Sequence, residues 1–146
     1  MKKTPSPDFE YEDDERDQTL IYRHITRNPE LRSHSARHHL MGGFNRRVLM
    51  LAASRRVIRE ITHSPDDKPI GVYRATDLAI QLNAYYLNIC GALDNLAWAT
   101  QYEWDLMPGI SETSKGRQKV GLFTSAFVSA LRQSRPQVAD ALAVAI

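Results

Sequence analysis

Leu40, Phe44, Val48, Leu51 and Ile58 recur at spacings of three, four and seven. That is the repeat of one helix face, not of a strand. Asn28 followed by Pro29 supplies a start signal, since Asn caps a helix and Pro suits its first turn. A helix is therefore expected from about Leu31 to Thr62. Gly42 and Gly43 lie inside it and cost about 1 kcal/mol each relative to Ala. Either a break or the close approach of another helix is expected there. The segment His63–Gly71, "HSPDDKPIG", carries two prolines and two aspartates and reads as a loop.

A second helix follows from about Thr76 to Trp104. At 100° per residue, Leu78, Leu82, Tyr85, Tyr86, Ile89, Leu93, Leu96 and Ala97 share one broad side, and Ile80, Leu87 and Trp98 a second. A helix apolar on two sides is expected to be central, packed between neighbours. Pro108, Gly109 and the small polar residues of Asp105–Gly116 end it. Val120, Phe123, Phe127, Ala130 and Leu131 then recur at helical spacing, and Pro136 opens a last piece with Val138, Ala141, Leu142 and Ala145. No run alternates as a half-buried strand does. The fold class is all-α, an antiparallel helical bundle.

Two polar lines interrupt the apolar sides of the second helix. Asn83 and Asp94 fall within about 20° of each other on the wheel, and Asn88 and Asn95 share another line. An unpaired buried amide or carboxylate costs roughly 1–3 kcal/mol, so Asn88, Asp94 and Asn95 are expected to form an internal polar seam that sets helix register. The alternative is that they form one wall of a site. A single carboxylate with no second acid or nucleophile beside it is weak ground for catalysis.

Composition adds boundaries. With 42% hydrophobic and 25% charged residues in 146, the chain is globular and fits one domain. Cys90 is the single cysteine, which excludes an internal disulfide and a cysteine zinc cluster and points to the cytoplasm. No run approaches a membrane span and no secretory signal opens the chain, so no membrane partner is expected. The net charge is only +2, but it is segregated. Asp8–Asp17 holds seven acidic residues against Arg16, whereas Arg32–His63 holds seven arginines against Glu60. Residues 1–28 read as an acidic, mobile arm and 29–146 as the bundle domain. The helix bearing Arg46, Arg47, Arg55, Arg56 and Arg59 is a candidate surface for nucleic acid or an acidic protein, with the arm as its competitor.

His34 and His38 have the four-residue spacing of a helical metal pair, but no carboxylate accompanies them before Glu60 and Arg32 and Arg37 repel a cation. No metal and no cofactor are expected. Phosphate-binding, dinucleotide-binding and serine-hydrolase motifs are absent. The small basic loop of Lys115, Gly116, Arg117 and Lys119 reads as a solvated surface.

"LNICGALDNLAWA" (Leu87–Ala99), followed by "KVGLF" (Lys119–Phe123), resembles a group of uncharacterised bacterial helical proteins allied to the HEPN superfamily. The resemblance spans roughly residues 75–146. It implies a helical bundle that dimerises and, in many members, a metal-independent ribonuclease of toxin or anti-phage systems whose motif is Arg, four to six residues, then His. Cleavage of RNA by its own 2′-hydroxyl needs a proton-transfer group, which His supplies, and a cation on the phosphorane, which Arg supplies. In the family the motif falls in a late helix, but no histidine follows His63 here. The chain is therefore expected to be a fragment or an inactive version, stopping at the unfinished apolar run "ALAVAI", with self-association through apolar surface left open at that end. Earlier matches to the spacing are Arg32 with His38 or His39, and Arg27 with His34; Arg32 and His38 are the candidate catalytic pair. The competing reading is a non-catalytic module binding nucleic acid or a protein through the arginine helix 46–59.

Overall fold

The computed structural model describes residue 23, residues 31–63 and residues 70–145. Their backbone is helix and turn with no strand, so the all-α class is what the structure shows. The arm 1–28, apart from Arg23, and the loop 64–69 lie outside the described residues, as does the expected Asn28–Pro29 helix start. In chain order the elements are α1 (His34–His38), a π-helical segment (His39–Asn45), α2 (Arg46–Thr62), α3 (Val72–Trp104), a 3-10 turn (Ile110–Glu112), α4 (Ser114–Arg117), α5 (Ser125–Ser134) and α6 (Pro136–Ala145). Ser33 caps α1, its Oγ accepting from the Ala36 N–H at 3.2 Å. Gly42 and Gly43 do not break the helix; the turn widens around them, as π-helical turns do.

The described residues form two compact units, one of residues 45–63 and 70–90, the other of 31–44 and 91–145. In the first, the Arg74 guanidinium donates to the carbonyl of Ile61 at 2.9 Å and of Glu60 at 3.4 Å, while Arg47 donates to Asn88 Oδ1 at 3.3 Å. These contacts run in opposite order along the two helices, so α2 and the first part of α3 are antiparallel. Arg74 also satisfies carbonyls that the last turn of α2 leaves without partners. The buried residues of this unit, among those described, are Asn45, Ser54 and Asn88. Its large apolar side chains Ile80, Leu82, Tyr86 and Leu87 are exposed. The expectation that α3 is central along its whole length therefore fails for this part, where the second apolar side meets solvent.

The second unit holds the apolar core. Ala97, Val120, Leu122, Phe127, Leu131 and Ala139 are buried together, with Leu93, Leu96, Trp98 and Trp104 packed against them. Ala97, fully buried, gives α3 a small residue at this core, where the larger Phe127 and Leu131 of α5 pack. Asp105 and Gly109 take left-handed φ values of 43° and 71° and turn the chain out of α3. Buried Gln101 holds that turn from both sides, its Nε2 donating to the Met107 carbonyl at 3.1 Å and its Oε1 accepting from the Met107 N–H at 3.2 Å. α5 begins at Ser125, later than the Val120–Leu131 spacing predicts. Val120 and Leu122 are buried from the preceding turn, whereas Phe123 stays exposed.

Candidate functional site

Within the second unit the π-helical segment lies along the last part of α3, and His39 is where the two meet. Its ring stacks on Trp98, with centroids 6.1 Å apart, and on Tyr102 at 5.5 Å. Trp98 and Tyr102 are themselves 5.5 Å apart. Gly91, Asn95, Trp98 and Tyr102 follow the spacing of one helix face, which brings Asn95, Trp98 and Tyr102 together at this ring. Asn95 Nδ2 donates to the Gly91 carbonyl at 2.7 Å, which fixes the amide orientation and turns Oδ1 toward His39 Nδ1 at 3.0 Å. An amide oxygen only accepts, so the proton of neutral His39 sits on Nδ1 and Nε2 carries the lone pair.

Gly43 explains how Asn95 comes so near. A Cβ at that position would overlap the Asn95 side-chain amide, so only glycine admits it. The close approach expected at the glycine pair is thus made by a side chain of α3. Nearby, the Glu103 carboxylate accepts the backbone N–H groups of Arg32 and Ser33, both at 3.0 Å, and holds the start of α1.

Of the residues read from the sequence, Arg32, just before α1, and His38, the last residue of α1, are both exposed. His38 meets the edge of His39 with ring centroids 6.0 Å apart. His34 and Arg37 are exposed as well, so the surface of α1 is cationic. Among the described residues no three His, Cys, Asp or Glu side chains converge to hold a metal ion. Asn88 is buried and Asn95 half-buried, and both are bonded: Asn88 is 4% exposed and donates to the Ala84 carbonyl at 2.8 Å while accepting from Arg47. Asp94 departs from the expected seam. It is exposed, as is Asn83 on the same line of the helix, so that line faces solvent and needs no internal partner. On α2, Arg46, Arg55 and Arg56 are exposed, Arg59 is half-buried and Arg47 turns to Asn88. Arg56 lies 3.9 Å from Glu60, an exposed pair.

Sequence reasoning passed over the His39 cluster, Glu103 and Gln101. The signal for the first was present in the spacing of Gly91, Asn95, Trp98 and Tyr102. No described helix is long and apolar enough to cross a membrane. Compared with known protein families, with curated proteins and with solved structures, the chain finds no match.

Proposed function

We propose that this chain is an HEPN-like helical protein directed at RNA, with metal-independent ribonuclease-type chemistry centred on His39. The observation that carries the reading is the held histidine: Asn95 binds Nδ1, and Trp98 and Tyr102 stack on the ring, leaving Nε2 to exchange a proton. Arg32 stands before it with six residues between, inside the family's spacing of four to six. The expectation of an inactive chain rested on the lack of a late histidine, and His39 answers that need from an earlier element. In this reading Nε2 takes the 2′-hydroxyl proton and the oxygen attacks the adjacent phosphorus. The 5′-oxygen leaves with a proton from solvent, and the arginines of the α1 surface balance the phosphorane charge. Exposed Arg32 and Arg37, on the stretch of chain that leads into His39, also suit single-stranded RNA.

Purified protein is expected to cleave single-stranded RNA in the presence of a chelator, leaving 2′,3′-cyclic phosphate ends. His39→Gln should lower the rate by roughly 10²–10⁴-fold, and His38→Ala by much less. Cleavage that needs a metal, or that survives His39→Gln, overturns this assignment.

A second reading is favoured by the exposed Arg46 and Arg56 on α2, which flank exposed Leu49 and Met50. This is a non-catalytic module that binds nucleic acid or an acidic protein. It predicts RNA binding without cleavage, weakening steeply with salt and reduced by Arg46→Ala with Arg56→Ala. A flat salt response removes it.

A further inference from the structure

Between α5 and α6 lies a cavity of about 200 Å³, and every residue that lines it is described and belongs to the second unit. Ala139 and Ala143 stand one turn apart on α6 and line it with methyl groups, where α5 presents Phe127, Val128 and Leu131. The short side chains of α6 account for the space. The floor is core: Leu122 is 6% exposed, Phe127 0%, Leu131 1% and Ala139 4%. The rim meets water, with Phe123 66% exposed and Ala143 also in solvent. A hollow with a core floor and an open rim is a concave site, not a flat apolar face.

Arg132 is the charged residue of the lining. It is exposed, and its guanidinium makes no hydrogen bond or ion pair with any described residue. Arg135, by contrast, lies over the Trp104 ring at 5.5 Å, and Asp140, the acid of α6, does not line the cavity. α5 and α6 diverge from the corner at Arg135. Arg132 and Ala139 are the lining residues nearest that corner along the chain, while Phe123 and Ala143 are far from it. The cavity therefore has a cationic end and an apolar length.

We propose that this cavity binds a small monocarboxylate whose apolar body is one ring on a short arm, with the carboxylate on Arg132 and the body against Phe127 and Leu131. Size supports that ligand, since an apolar cavity of roughly 150 Å³ admits benzene and this one is somewhat larger. Charge supports it as well. A guanidinium presents a planar fork that matches one carboxylate, and the lining holds no second cation for a phosphate dianion. Filling the hollow restores packing contacts that its buried walls lack. The site shares no residue with the His39 cluster and does not rest on the RNA reading.

Calorimetry on the full chain should show saturable binding of phenylacetate, and none of acetate, which has the head without the body, at the same concentrations. Phenylacetamide, of the same shape but neutral, should bind roughly tenfold more weakly than the acid. Arg132→Gln should bring the acid down to the level of the amide and leave the amide unchanged. Ala143→Phe, at an exposed position of the rim, should block both ligands with circular dichroism retained. A measurement on unmodified protein guards against variants that fail to fold: in methyl NMR, Val128, Leu131 and Leu142 should shift together as phenylacetate is added, and Leu49 and Leu87 of the first unit should not. The inference is overturned by a wild type that does not bind phenylacetate, by acid and amide binding alike, by binding that survives Ala143→Phe, or by shifts that spare Val128, Leu131 and Leu142.

Discussion

Gly43 and Asn95 act as one device. The glycine makes room for the amide, and the amide divides its two bonds between the Gly91 carbonyl and His39. Gly43→Ala would gain about 1 kcal/mol in helix propensity. It would also drive the Asn95 amide away from both partners, at about 0.5–1.5 kcal/mol for each bond, and crowd a packed contact at about 1–3 kcal/mol. The expected net result is a loss of stability of about 1–5 kcal/mol, seen as a lower urea midpoint with the same slope. Asn95→Ala removes the obstruction, so the double variant should cost less than the sum of the two single ones. Strict additivity would show that the contact does not carry the effect. Gly43 was legible as a place of close approach because glycine within a helical repeat has few other reasons to be there. Its partner was not, because Asn95 on a helical wheel is only an interruption, and His39 is on another element 56 residues away. The same gap explains why His38 was preferred to His39, since spacing alone does not distinguish neighbouring imidazoles. Asp94 was misread for the opposite reason, as a polar residue in an apolar segment whose side of the helix faces water.

Among elements, α1 cannot stand by itself. Five residues are too few for an isolated helix, and its N-terminus carries N–H groups that its own turn leaves open. Ser33 Oγ takes one, from Ala36, and Glu103 reaches across from α3 to take those of Arg32 and Ser33. Glu103→Ala should cost about 1.5–3 kcal/mol, the range for bonds to a charged group. Hydrogen exchange should rise first at the amides of Arg32, Ser33 and Ala36, before any change in α5. Equal protection at those amides in the variant would show that Ser33 alone holds the helix start. The boundaries of the long helices were readable from period and breakers: the end of α2 agrees with Thr62 and the end of α3 with Trp104, and α3 starts at Val72 where Thr76 was expected. The start of α5 was not readable. Val120, Leu122 and Phe123 are apolar for reasons of burial or turn geometry, and helical spacing over a short stretch does not separate those causes. The two apolar sides of α3 were read as the mark of a central helix, and that reading fails before Cys90, where Ile80 and Leu87 of the second side are exposed.

At the scale of the whole molecule, the uneven burial of the two units makes a prediction about how stability is distributed. The core around Phe127 and Leu131 belongs wholly to one unit, where Phe127 is 0% and Leu131 1% exposed. Leu131→Ala should therefore cost about 2–5 kcal/mol, as large-to-small core changes do. Local opening sets amide exchange, and packing on a buried apolar core raises its cost. Hydrogen exchange followed by mass spectrometry on wild-type protein should therefore show α5 and residues 91–104 as the slowest of the described segments, with α2 and residues 72–90 of α3 faster, because among the described residues only the former pack on buried apolar side chains. In Leu131→Ala the rise should fall on α5 and residues 91–104. Equal exchange across all of these segments in the wild type would show that burial among the described residues does not set the order in which the helices open.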